Sequence, residues 1–165
     1  MSADFARRVV SHALLRQGLP YVWGGKGLLR WTPTAPEPMP LSAGCNEAYD
    51  CVGLVTGAVH IAGGPDVRFL WSCQQLWDLL PPPAIGEPRR LRLFGPSTKD
   101  VQHVSIELGP DYQLEAAGGD KTTTNYEAAV RRGAKVRVSD VAAGRSDLLG
   151  HRSLSAMQFV NPNRG

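Results

Sequence analysis

The sequence predicts an α+β fold in which N-terminal helices pack on a C-terminal antiparallel β-sheet. Two observations carry this. In the first half, apolar residues recur at helical spacing, at Phe5, Val9, Val10, Ala13 and Leu14, and a second apolar, helix-length run opens at Cys51. After Pro81-Pro82-Pro83 the period drops to two, with short alternating runs separated by turn signals such as GPS and GPD. Helices followed by strands read as a sheet with the helices gathered to one side.

The elements follow in order. A helix is expected over 5–17, stopped by Gly18 and Pro20. PYVWGG at 20–25 reads as an extended stretch ending in a glycine turn. Residues 26–44 centre on TPTAPEPMP. They read as a surface loop or short excursion, because nothing before them could fold alone. The expected organisation is therefore one domain over 1–165 with a Pro-rich insert at about 26–45. CVGLVTGAVHIAGG, from Cys51, is a helix closed by two glycines, and Leu70–Leu80 is a second amphipathic piece ended by the prolines. Strands are expected at 90–94, 103–108, 112–116 and 135–138, with a last one at 155–160.

Composition bounds the function. The 165 residues are 42% hydrophobic and 20% charged, which is a folded chain of one domain's size. No apolar run approaches the ~20 residues that span a bilayer, so no membrane role is expected. The N-terminal MSADFARRVVSHALLRQGL lacks the charged-then-apolar layout of a signal peptide. The expectation is a protein made in the cytoplasm that, if it acts outside, is delivered by other means. The net charge is +3, with basic pairs at 7–8, 89–90 and 131–132 but no basic stripe interleaved with aromatics. No nucleic-acid partner is expected. Cys45, Cys51 and Cys73 are odd in number and form no CxxC pair, which argues against a disulfide framework and against a zinc site.

One constellation carries chemistry. Cys51 opens an apolar helix directly after Asp50, and Gly53 leaves the first turn uncrowded. A helix N-terminus presents unpaired N–H groups and partial positive charge, which stabilise a thiolate and can hold an oxyanion. On position alone, a buried structural cysteine is an equal reading. His103 opens a strand and stands on its polar face with Ser105 and Glu107, where an imidazole can meet the helix terminus as base. A strand-end surface histidine is the alternative. A third group must accept the second imidazole N–H. Glu115 lies on the next strand across the GPD turn, so a hairpin brings it beside His103; otherwise it is a surface carboxylate.

Taken together, GLPYVWGG, YDCVGLV and QHVSIELG, in that order over about 17–117, resemble the NlpC family of cell-wall cysteine peptidases, whose fold is a reduced papain-like α+β. The resemblance implies that Cys51 is the nucleophile and His103 the base. Glu115 falls where the family has a third polar residue, most often His. Tyr21 matches a tyrosine that lines the site. Asp50 matches a carboxylate that helps to hold a free amino terminus of the peptide, and Ser72 matches the serine of an Arg-Thr-Ser segment. The chain departs from the pattern at Val52, at Ser105 and at Leu70, which stands in place of the arginine. Its insert between Gly25 and Asp50 is long enough to roof a cleft.

The implied activity is hydrolysis of an amide bond in peptidoglycan stem peptides, between D-glutamate and a diamino acid, through an acyl-enzyme and without cofactor. Bacterial cell-wall peptide is the expected partner. Phage-tail or similar particle proteins are a second, suggested by the RSDLLGHRSL segment and the lone catalytic domain. Two further readings stay open: a thiol amidase or acyltransferase on another substrate, and a non-catalytic structural module of a particle. Of the remaining candidates, Cys73 reads as core, Cys45 as a loop cysteine with a redox partnership to Cys51 as the lesser reading, and His60 as a core histidine. His12 and His151 read as surface residues, and Asp120 as a turn.

Overall fold

The structure is a computed structural model that describes residues 2–39 and 46–163. Helix α1 (Ser2–Leu14) is followed by four two-residue strands, β1 (Lys26–Gly27), β2 (Leu29–Arg30), β3 (Glu37–Pro38) and β4 (Ala48–Tyr49). Helices α2 (Cys51–Ile61) and α3 (Cys73–Leu79) come next. Strands β5 (Arg90–Phe94), β6 (His103–Glu107) and β7 (Tyr112–Ala117) lead to helix α4 (Tyr126–Arg132). Strands β8 (Lys135–Asp140) and β9 (Leu148–Ser153) and a 3₁₀ turn over Ser155–Phe159 are the last elements among the described residues.

The main sheet has five antiparallel strands in the order β8-β7-β6-β5-β9. Alternation sorts its side chains. Leu91, Leu93, Val104, Ile106, Leu114, Ala116 and Val136 are all 0 or 1% exposed. They share the core with Phe5 and Val9 of α1 and Leu54, Val55, Ala58 and Val59 of α2. The helices thus cover one face of the sheet, as the period change predicts. The alternate residues His103, Ser105, Glu107, Gln113 and Glu115 are polar yet also buried. Ser105 Oγ donates to Gln113 Oε1 at 2.9 Å, and Arg90 from β5 reaches Glu107 at 2.5 Å.

Three expectations need correction. The segment 155–160 is not a strand. Leu154 and Met157 are fully buried while Phe159 is exposed, a period of three that suits a 3₁₀ turn. Ser153 Oγ accepts from Ala156 N at 3.1 Å and starts that turn. The last strand is instead β9, where Gly150 breaks the apolar pattern; it takes φ 152° with the Trp77 ring against it. Finally, His60 lies on the exposed side of α2 rather than in the core.

The Pro-rich excursion is tied down at its base. β1 pairs with β4 and β2 with β3, both antiparallel. Cys45 falls outside the described residues.

Candidate active site

Helix α2 begins at Cys51 because Asp50 caps it: the carboxylate Oδ1 accepts from Gly53 N at 2.6 Å. Gly53 is required here for a packing reason. A Cβ at that position would sit 2.0 Å from the Gly25 carbonyl and 2.9 Å from Lys26 Cδ. The glycine lets the Gly25-Lys26 backbone lie against the first helical turn, where Asp50 N also donates to Gly25 O at 3.0 Å.

The start of β6 abuts this helix terminus. Cys51 Sγ lies 4.0 Å from the Gln102 carbonyl, one residue before His103. The β6–β7 register sets Ile106 opposite Leu114, which makes Glu115 the diagonal neighbour of His103 on the same face. The two meet, with His103 Nε2 2.8 Å from Glu115 Oε2. With Nε2 engaged by the carboxylate, Nδ1 is the nitrogen left to serve the sulfur. The Phe94 ring packs at 5.7 Å against the imidazole and helps fix its plane. Glu115 is itself held: Ser139 Oγ donates to Oε1 at 2.8 Å, and Arg137 Nε stands 3.8 Å away. Sequence reasoning missed both groups. They sit on β8, whose pairing of Arg137 with Glu115 becomes visible only once the register is known.

The electrostatics favour a thiolate–imidazolium pair. The Cys51 thiol is held well below its ordinary value. The Cys73 thiol beside it contributes most, burial opposes, and the His103 imidazole adds to the lowering. Burial pulls His103 down, but the Cys51 sulfur and the Glu115 carboxylate outweigh it and push the imidazole up to about 9. Burial also raises Glu115, yet hydrogen bonding and charge from His103, with Ser139 and Arg137, leave its carboxyl below its ordinary value. Burial and the nearby sulfur push the Tyr21 phenol upward, so its hydroxyl stays protonated.

Cys51, His103, Glu115, Tyr21, Asp50 and Ser72 all line one cleft of about 1210 Å³. Trp31 of the Pro-rich excursion lines it as well, and so does exposed Leu70, at the position where the resemblance implies arginine. Ser72 is exposed at the N-terminus of α3, where its backbone N–H donates to Gln75 Oε1 at 2.9 Å. Asp120 also faces the cleft, paired to Arg132 at 2.8 Å.

Asp50 carries an ion pair that the sequence did not suggest: Lys26 Nζ sits 2.7 Å from both of its carboxylate oxygens, and both side chains are buried. Burial pushes the Asp50 carboxyl up, while Lys26 and the Gly53 N–H pull it back. Lys26 was hidden in the sequence because it opens a segment that reads as a surface loop. Cys73 is buried as expected, but its sulfur is 3.7 Å from that of Cys51.

No protein-family model matches the chain, and no curated protein sequence matches it significantly. Solved structures do. The peptidoglycan hydrolase RipB from Mycobacterium tuberculosis is similar at 26% identity and a TM-score of 0.59, over 93% of this chain and 66% of RipB. The chain thus spans just under two thirds of RipB. The P60 domain of an antigen from M. avium subspecies paratuberculosis matches at 22% identity and a TM-score of 0.59, over 92% of this chain and 95% of that one. RipD from M. tuberculosis, a non-catalytic NlpC/p60 domain protein adapted to peptidoglycan binding, matches at 20% identity and a TM-score of 0.57, over 89% and 94%. The four-helix, five-strand α+β architecture described above is the papain-like fold of these NlpC/P60 neighbours.

Proposed function

We propose that the protein is a cysteine peptidase that hydrolyses an amide bond in bacterial peptidoglycan stem peptides, with Cys51 as nucleophile, His103 as base and Glu115 as the group that orients and charges the imidazole. The observation that carries this is the His103–Glu115 contact of 2.8 Å beside a capped helix terminus that bears Cys51, all at one cleft. The likeness to RipB, itself a peptidoglycan hydrolase, supports the substrate class.

The thiolate of Cys51 attacks the scissile carbonyl. The Cys51 backbone N–H and the protonated hydroxyl of Tyr21 receive the oxyanion. His103, as imidazolium, donates its proton to the leaving amine and then draws a proton from the water that releases the acyl group. Glu115 keeps the ring in place and favours its charged form. Ser72 contacts the peptide from the rim of the cleft. Asp50 contributes as helix cap and as counter-ion of Lys26. The bond cut is the one between D-glutamate and the diamino acid. Delivery to the wall occurs by a phage-tail-like particle or at lysis.

Mass spectrometry of defined muropeptides after incubation with reduced protein tests this reading. The expected result is new fragments that place the cut after D-glutamate. Intact muropeptides from several wall chemotypes would instead favour a peptidoglycan-binding role of the kind RipD has, or another amide substrate.

A further inference from the structure

Cys73 has no part in the proposed hydrolysis, yet its sulfur lies 3.7 Å from that of the nucleophile. Cys51 is the first residue of α2 and Cys73 the first of α3, so the two helices present their N-termini to each other through two sulfurs 3.7 Å apart. Both cysteines are free thiols, both are buried, and both line the cleft through which small molecules reach Cys51.

We propose that Cys51 and Cys73 form a redox modification site at which hydrogen peroxide converts the two thiols into a disulfide that silences the nucleophile reversibly. The inference rests on the thiol geometry and stands apart from the identity of the peptide substrate.

The pair is unequal in the way this chemistry needs. The Cys73 thiol and then His103 favour the thiolate on Cys51, whereas the neighbouring Cys51 sulfur and burial keep Cys73 protonated. The Cys51 thiolate attacks one peroxide oxygen. The O–O bond breaks, Cys51 becomes a sulfenic acid, and the departing hydroxide takes the proton held on His103 to form water. Cys73 sulfur then attacks Cys51 sulfur, the S–O bond breaks, and the hydroxide leaves with the Cys73 proton as a second water. Two thiols lose two electrons and one peroxide gains them. A disulfide needs the sulfurs about 2.0 Å apart. They must therefore close by roughly 1.7 Å for the bond to form. Without a resolving thiol, the sulfenic acid proceeds to sulfinic acid, which thiol reductants do not reverse.

The test uses the full chain and a Cys45→Ser form in which only the two site cysteines remain. Each is exposed to hydrogen peroxide, labelled with iodoacetamide and mapped by mass spectrometry before and after dithiothreitol. The expected result is a Cys51–Cys73 linked peptide two hydrogens lighter, at least a tenfold fall in Cys51 labelling, and its return on reduction. In Cys45→Ser/Cys73→Ser the same exposure gives sulfinic acid at Cys51, and labelling does not return. Three outcomes overturn the proposal: a Cys51–Cys45 link in the full chain, direct sulfinic acid at Cys51 with Cys73 present, or full recovery without Cys73. The mapping in the Cys45→Ser form decides the matter even where the double variant fails to fold.

Discussion

At the scale of residues, the site is two buried ion pairs that share one helix terminus. The first, His103 with Glu115, sets the protonation of the dyad. In the proposed mechanism His103 must be charged to act as an acid, so hydrolysis is expected to fall as the pH rises through about 9. Glu115→Gln keeps the shape but loses the charge that raises the imidazole. We predict that it moves this alkaline limb down by roughly one pH unit, which lowers the rate about tenfold above pH ~9 and little at neutral pH. The pH–rate profile of the variant checks this, and a limb that stays in place would show that Glu115 does not tune His103. The second pair, Lys26 with Asp50, is 5% and 10% exposed at its side chains. Lys26→Met strands a buried carboxylate and should cost about 3–5 kcal/mol of stability. Lys26→Met/Asp50→Asn should recover much of that, because neither charge is then left alone. Denaturant unfolding of the two variants measures both effects, and equal losses would mean that the pair is not coupled.

At the scale of elements, the capped start of α2 is the part on which the chemistry depends. Gly53→Ala drives a Cβ into the Gly25 carbonyl, so a loss of at least ~2 kcal/mol is predicted, with reduced labelling of Cys51 in the folded fraction. Thermal unfolding and thiol labelling of this one variant report the two consequences separately. The same element was the most legible in the sequence. Cys51 directly after Asp50, with Gly53 and then an apolar run, specifies a helix that starts at Cys51, and the resemblance adds the reading of Cys51 as nucleophile. The strands around His103 and Glu115 were legible for a similar reason, since alternation and a GPD turn point to a hairpin that brings the two side by side, and the register then makes the contact a diagonal one. What stayed hidden depends on long-range packing. Lys26 sits in a proline-rich stretch that resembles a solvated loop, and only the pairing of β1 with β4 brings it to Asp50. Cys73 reads as core on its own amphipathic helix, and the meeting of two helix starts is a tertiary fact. Strand β9 was missed because Gly150 interrupts its pattern, and α4 because its apolar face is only Ala128 and Ala129.

At the scale of the whole molecule, the cleft is assembled from segments far apart in the chain. Tyr21 lies before the excursion, Cys51 on a helix, His103 and Glu115 on the sheet, and Ser72 between them. No single element holds the dyad, so the enhanced reactivity of Cys51 should disappear together with the global fold rather than before it. Denaturant titrations followed by thiol labelling and by circular dichroism should share one midpoint, and an earlier loss of labelling would place the site on a separately unfolding part. The Trp31 side of the cleft belongs to the excursion, so that segment helps to form the cleft wall.

The central claim is that this cleft cuts wall peptide through Cys51. The most direct measurement incubates purified bacterial walls with reduced wild-type protein, with Cys51→Ala and with His103→Ala, and follows soluble peptide fragments by mass spectrometry. The account predicts fragments from the wild type that are reduced at least a hundredfold in both variants. Undiminished fragments with Cys51→Ala, or none from folded wild type across several wall chemotypes, would contradict it.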